Sequence, residues 1–193
     1  MSGQLPTSPQ PRNASIGSQQ NTLISVTTSG RVQARQIDGQ RFSISLVYPP
    51  MSRSEFSPIK AFLMKQRSRL ETFTVIPPST ESDAQGTASG TPTGTASAGA
   101  TSITLGGSAS GTLKAGDYIK FANHNKIYML VADSSDISTG TLTIEPPLRT
   151  AVSGQNITYD DVPFTVRLRN DIQEFSIGTT NLYQYELDVI ESL

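Results

Sequence analysis

The stretch from residue 79 to residue 102 constrains the fold more than any other part of the sequence. Apart from Glu81, Asp83 and Gln85, it contains only glycine, serine, threonine, alanine and proline. A segment without large apolar side chains buries too little surface to offset the entropy lost on ordering. We therefore predict a flexible linker over residues 79–102, with a separate structural unit on each side of it.

The unit before the linker has the pattern of a β domain. Apolar and small polar residues alternate over residues 42–48, which predicts a strand with one face on a core. The pairs Ser29-Gly30 and Asp38-Gly39 predict turns that divide residues 23–48 into three strands. Residues 1–22 contain three prolines and few apolar side chains, so we expect an N-terminal arm there.

One helix is predicted, over about residues 53–69. Ser52 and Glu55 have the spacing of a capping box, and Phe56, Ile59 and Leu63 fall on one helical face. Cationic side chains cluster near the predicted C-terminus, where they complement the helix dipole.

The unit after the linker, residues 103–158, contains five short apolar runs separated by turn signals. This spacing predicts a small β-barrel or sandwich. Longer alternation resumes near residues 164–168 and 183–189, and we expect these strands to complete the first sheet. Residues 23–78 and 159–193 would then form one domain that carries residues 103–158 as an insertion; the alternative is two consecutive domains.

Residues suited to catalysis or metal binding are scarce. The chain has no cysteine and a single histidine, His124, in a turn-like tripeptide. The side chains of Asp160 and Asp161 would point to opposite faces of a strand, and Asp133 and Asp136 lack the ligand spacing of a calcium loop. We predict that the protein is not an enzyme, with no catalytic, cofactor-binding or metal-binding residues.

Charge is unevenly distributed although the formal net charge is only −1. Residues 31–69 are mainly basic and residues 160–193 mainly acidic. These charges either lie on solvated faces of one domain or pair between subunits of an assembly. If the charges pair between subunits, we predict that the interface contains Arg31, Arg35, Arg41, Arg67, Arg69, Asp188 and Glu191. The net charge gives no reason to expect a specific nucleic acid or a membrane as partner.

Three segments together resemble a known group of proteins. They are "GQRFSISLVYPPMSRSEFSPIKAFLMKQRSRLETFTVIPP", the insertion with its "LKAGDYI" and "EPPLR" elements, and the ending "NLYQYELDVIESL". The first and last are similar to the tail-tip proteins of tailed bacteriophages, namely the distal tail (hub) and related minor tail proteins. The insertion resembles a β-module that recurs in phage virion proteins.

The resemblance implies a mainly β structural virion protein. Its fold would be a β-sandwich or split barrel with one α-helix, like that of tail tube and hub proteins, with an inserted small β-barrel. It implies no cofactor, a homo-oligomeric ring, commonly a hexamer, and location in the phage tail after assembly in the host cytoplasm. The expected partners are other tail proteins of the tube, hub, tip or baseplate, and the host surface.

Two other functions stay open alongside this one. The insertion could bind host-surface glycan through Tyr118, Phe121 and Tyr128, or the chain could be a connector elsewhere in the tail or neck. A hydrolytic tail enzyme would require carboxylates that converge only in the folded chain.

Overall fold

The computed structural model describes residues 3–178 and 180–193 and is mainly β. It contains an antiparallel sheet covered by a helix, and a closed barrel. In chain order the elements are β1 (Asn13–Val26), β2 (Val32–Val47), α1 (Arg53–Lys65), β3 (Phe73–Val75), α2 (Ser79–Ser82), β4 (Ser89–Ala96), β5 (Ser102–Ser110), β6 (Tyr118–Phe121), β7 (Ile127–Leu130), β8 (Thr141–Glu145), β9 (Val152–Thr158), β10 (Phe164–Leu168), β11 (Phe175–Ile177) and β12 (Tyr183–Glu191). Neither helix is long and apolar enough to cross a membrane.

The sheet has the strand order β1-β2-β12-β10-β3, and β11 adds to β12 outside this path. The predicted alternation in β2 is confirmed, since Phe42, Ile44 and Leu46 are buried while the serines between them are only half-buried. The apolar side chains of α1 pack against this face and form a single core with it.

The predicted helix is confirmed, but it ends earlier than residue 69. The Ser52 N–H donates to Glu55 Oε2 at 2.8 Å, which completes one half of the capping box. At the other end α1 stops at Lys65, and Arg67 and Ser68 adopt the left-handed backbone conformation, with φ of 51° and 62°. That conformation cannot continue a right-handed helix.

The prediction of an arm over residues 1–22 is wrong for most of that range. Residues 13–22 belong to β1 and pair with β2. Nearer the N-terminus, the Leu5 N–H donates to the Thr74 carbonyl at 2.8 Å, and the Leu5 side chain is buried. Strand pairing satisfies the hydrogen bonds of backbone groups without requiring apolar side chains, so the composition of this segment does not reveal the strand. Met1 and Ser2 of the predicted arm lie outside the described residues.

The Asp38-Gly39 pair is not a hairpin turn. β2 runs without interruption from Val32 to Val47, and Gly39, with φ of 114°, lies inside it where the pairing with β1 shifts register. The turn lies at Thr27–Arg31, where Gly30 has a φ of 78°. Gly39 thus provides the backbone conformation of a bulge, which a turn signal resembles in sequence.

The inserted barrel is present and has the strand order β4-β5-β8-β7-β6-β9. Its strands lie in the chain between β3 and β10, which both belong to the sheet, so the alternative of two consecutive domains is wrong. All five predicted strands of the insertion occur; β6 has the predicted ends, and the ends of the other four differ from the prediction. The sixth strand, β4, comes from the segment predicted to be a linker.

The linker prediction for residues 79–102 is therefore wrong. β4 pairs with β5 on one side and β9 on the other, and so closes the barrel. A Cβ atom added to Gly94 would lie 2.7 Å from the Phe121 ring and 3.0 Å from Ile103. Large side chains of neighbouring strands already fill the space inside β4, so this strand requires small residues.

Candidate assembly surface

The outer half of the β1–β2 pair extends beyond the sheet as a two-stranded hairpin. The next strand, β12, pairs with β2 only at residues 43–47, and residues 17–39 are all exposed. We refer to residues 21–37 as the hairpin; six residues per strand correspond to about 20 Å. An isolated two-stranded hairpin is marginally stable in water, so this one is suited to contact a partner.

The two faces of the hairpin differ in chemistry. Residues directly opposite each other in an antiparallel pair point to the same face, and Ile24 lies opposite Ala34, as Val26 lies opposite Val32. We call this the apolar face; Ile24, Val26 and Val32 are 65%, 63% and 60% exposed. The other face, which we call the basic face, carries Leu23, Arg35 and Ile37.

A buried ionic cluster holds the base of this β1–β2 pair against the barrel. Glu191 Oε2 accepts hydrogen bonds from Lys126 Nζ at 2.6 Å and from the Phe42 N–H at 3.0 Å, while Oε1 accepts from the Ile127 N–H at 2.8 Å. Lys126 Nζ also donates to Gln40 Oε1 at 2.6 Å, and Gln40 Nε2 donates to Ser18 Oγ at 2.7 Å. The cluster thus joins the barrel, β12 and both strands of the pair.

Burial and charge act in opposite directions on the lysine of this cluster. Lys126 is only 4% exposed, and this burial lowers its pKa, while the adjacent Glu191 carboxylate raises it. Removing one partner of such a buried ion pair strongly destabilises the folded protein, because the other charge is left buried without compensation. The contact between the barrel and the base of strands β1 and β2 therefore depends on both Lys126 and Glu191.

The structure places the seven predicted interface residues in different parts of the molecule. Arg31, Arg35 and Arg41 lie on the protruding part of the β1–β2 pair or at its base, and all three are exposed. Arg67 and Arg69 are also exposed, just beyond the end of α1. Asp188 is half-buried, and it lines the same groove beside β11 as Arg69.

The interface assignment of Glu191 is wrong, because its side chain is fully buried in the ionic cluster. Its position in β12 contains the signal, since Tyr185, Leu187 and Val189 alternate inward and Glu191 continues that series. Sequence reasoning also missed Gln40, which continues the inward series of Phe42, Ile44 and Leu46 in β2, and Lys126, which no pattern marks as buried.

The residues considered for catalysis or metal binding serve local structure. His124 Nε2 lies 2.8 Å from the Tyr128 hydroxyl and Nδ1 lies 2.7 Å from Asn123 Oδ1, while burial lowers the pKa of the imidazole, helped by Lys120 and Arg149. Within residues 3–178 and 180–193, no group of three or more histidine or acidic residues is placed to hold a metal ion.

The four aspartates singled out in the sequence take part in hydrogen bonds of loops. Asp160 accepts a hydrogen bond from the Ala84 N–H at 3.1 Å, and the Asp161 N–H donates to Asp83 at 3.0 Å. The two remaining carboxylates accept backbone N–H groups in the loops of the barrel; they are Asp133 and Asp136.

Comparison of the sequence with models of known protein families and with curated protein sequences finds no match.

Proposed function

We propose that this chain is a structural subunit of a phage tail that forms a homo-oligomeric ring, the distal tail or hub ring, between the tail tube and the tip or baseplate. The observation that carries the proposal is the hairpin, whose apolar face is exposed in the single chain. In this proposal the sheet and α1 form the ring domain of tail tube and hub type, and the barrel is its insertion.

The three large side chains of the apolar face would gain free energy from burial against a neighbouring copy. Fully burying one valine or isoleucine side chain contributes about 1.5–3 kcal/mol. Burial of Ile24, Val26 and Val32 against a neighbouring copy would therefore contribute several kcal/mol per subunit, before the cost of association. A surface of this kind on a narrow projection is typical of an element that folds against a partner.

The edges of the sheet support contact through the β1 side. The outer edge of β1 has no partner strand among the described residues, whereas Gln4 forms a bridge with Thr74 of β3 at the other end of the sheet. A long unpaired edge is a template for pairing with another chain. In a ring the β1 edge would meet a different surface of the next copy, which is a heterologous contact, whereas pairing of two β1 edges would give a two-fold dimer.

The barrel would project from the ring and contact another tail protein or the host surface. The glycan-binding alternative depends on three aromatic residues, of which Phe121 and Tyr128 are fully buried. Tyr118 packs edge-on between Phe42 and Phe164, with ring centroids 5.4 Å from each. These rings hold the barrel and its junction with the sheet together, and no other observation favours glycan binding.

The experiment is mass measurement of the purified full chain by light scattering and native mass spectrometry, with negative-stain microscopy of any ring. We expect a closed oligomer, six copies being the expected number, that dissociates to monomers in Ile24→Asp. The matched control is Leu70→Asp, because Leu70 is equally exposed at 68% but lies outside the hairpin. Circular dichroism should show both variants folded.

A wild-type chain that stays monomeric at its highest attainable concentration, alone and with purified tail tube, would contradict the proposal. Equal loss of assembly in both variants would refute the assignment of the hairpin as the contact element.

A further inference from the structure

Two adjoining grooves lie beside β11 and the loop that precedes it, with volumes of about 660 and 540 Å³. The two residues that line both grooves are carboxylates, Glu174 and Glu186. We refer to the combined depression as the β11 groove. The smaller groove is also lined by Val47, Tyr48 and Phe175, so that apolar side chains lie beside the two shared carboxylates.

The carboxylates of this groove form no ion pair within the part of the chain that the structure describes. Asp171 and Asp188 line the larger groove together with Glu174 and Glu186. Two of the four accept a hydrogen bond from a neutral serine, since Ser45 Oγ donates to Glu186 Oε1 at 3.1 Å and Ser68 Oγ to Asp171 Oδ1 at 2.7 Å, and these bonds leave the negative charges uncompensated. Three arginines also line the grooves, one in the smaller and two in the larger; they are Arg12, Arg69 and Arg169. Negative charge is thus concentrated at the wall that the two grooves share.

The basic face of the hairpin has the complementary pattern. Arg35 lies between Leu23, its direct partner on β1, and Ile37, two residues further along β2. These two apolar side chains are 60% and 43% exposed. The hairpin contains Arg31 and Arg35 but no acidic residue. A cation flanked by apolar side chains therefore matches carboxylates flanked by Val47, Tyr48 and Phe175.

The hairpin cannot reach the groove of its own chain. Glu186 lies opposite Val47, and Arg35 is twelve residues back along the same continuous strand. At about 3.3 Å per residue, this separation is about 40 Å. Any contact between the basic face and the β11 groove must therefore join two copies.

We propose that the basic face of one copy's hairpin docks into the β11 groove of the next copy, with Arg35 placed between Glu174 and Glu186. This inference rests on the proposed ring and names the surfaces that meet in it. The two surfaces differ from each other and lie far apart, so the contact is heterologous and repeats from copy to copy. The apolar face then remains free to pack against the adjacent hairpin.

Thiol cross-linking can trap this contact directly, because the natural chain contains no cysteine. An Arg35→Cys chain is mixed with a size-tagged Glu186→Cys chain, treated with a short bis-maleimide and resolved by mass. The matched control is Gln36→Cys, which lies next to Arg35 in β2 but points to the apolar face. We expect the mixed dimer to exceed the control by at least about tenfold; a bifunctional reagent is used because extended Arg35 and Glu186 side chains hold their Cα atoms further apart than the ~7 Å that a disulfide bridges.

Charge reversal supplies a second test on the same pair. Arg35→Glu should weaken association about tenfold, and Glu186→Arg in the partner copies should restore it. Oligomers of normal mass without preferential trapping or rescue would overturn the docking while leaving the ring proposal intact. A monomeric wild-type chain would overturn both, and trapping with rescue would support both.

Discussion

The buried pair Lys126–Glu191 offers the sharpest test of how the barrel is fixed to the sheet. In Lys126→Met the side chain keeps nearly the same volume but loses its charge. Glu191 Oε2 and Gln40 Oε1 each lose the hydrogen bond that they accept from Lys126 Nζ. Removing one member of a buried ion pair costs about 3–5 kcal/mol. The backbone N–H groups of Phe42 and Ile127 still donate to Glu191, so we expect a loss near 3 kcal/mol.

The double variant separates the charge effect from simple packing. Glu191→Gln alone leaves the lysine charge buried without a counter-ion, and we expect a loss of about 3–5 kcal/mol. In Lys126→Met combined with Glu191→Gln neither charge remains, so the total loss should fall well below the sum of the two single losses. Urea unfolding at pH 7, followed by circular dichroism and tyrosine fluorescence, measures all four free energies of unfolding.

The exposed pair Lys114–Asp133 is the control, with side chains 46% and 58% exposed. Lys114→Met should leave the free energy of unfolding nearly unchanged, because surface ion pairs are screened by water. Additive losses in the double variant, or a loss in Lys126→Met as small as in Lys114→Met, would refute the reasoning.

Two further predictions concern the barrel and the sheet. Gly94→Ala should lower the free energy of unfolding by about 1–3 kcal/mol, because its Cβ would lie 2.7 Å from the Phe121 ring. Denaturant unfolding measures this loss, with Gly106→Ala as the control, since the nearest neighbour of a Cβ at Gly106 would lie at 3.4 Å. Equal losses in the two variants would contradict the prediction. Burial raises the pKa of Tyr48 from 10.0 to about 12, so its contribution to stability is fully present below pH 10 and is lost as the pH rises towards 12. In unfolding measurements from pH 10 to pH 12, Tyr48→Phe should lose about 2 kcal/mol less than the wild type, and parallel curves would rule the effect out.

Local patterns were sufficient to predict several elements. The alternation in β2 and the capping box of α1 depend on neighbours within a few residues, so they can be read directly from the sequence. The five apolar strands of the barrel and the return of the chain to the first sheet were predicted for the same reason. Ends were less accurate, because α1 stops where Arg67 and Ser68 adopt a left-handed conformation, which no residue type there requires.

The errors share a different cause. β4 was predicted to be a linker because its own residues are small, yet Gly94 is small because Phe121 and Ile103 occupy the space beside it. Leu23 and Val32 were predicted to belong to an ordinary sheet, yet β12 ends its pairing at residue 43 and leaves them exposed. In both cases the deciding partner lies on a distant strand.

The sequence by itself determined that the chain is mainly β, with one capped helix and an inserted small β unit, because periodicity and turn chemistry act locally. Only the tertiary structure decided which residues are available to a partner. In the folded chain Glu191 is buried with Lys126, Arg35 lies on a projecting hairpin, and residues 79–102 supply a strand of the closed barrel. Burial depends on what packs against a residue, and strand pairing brings together residues that are far apart in the chain.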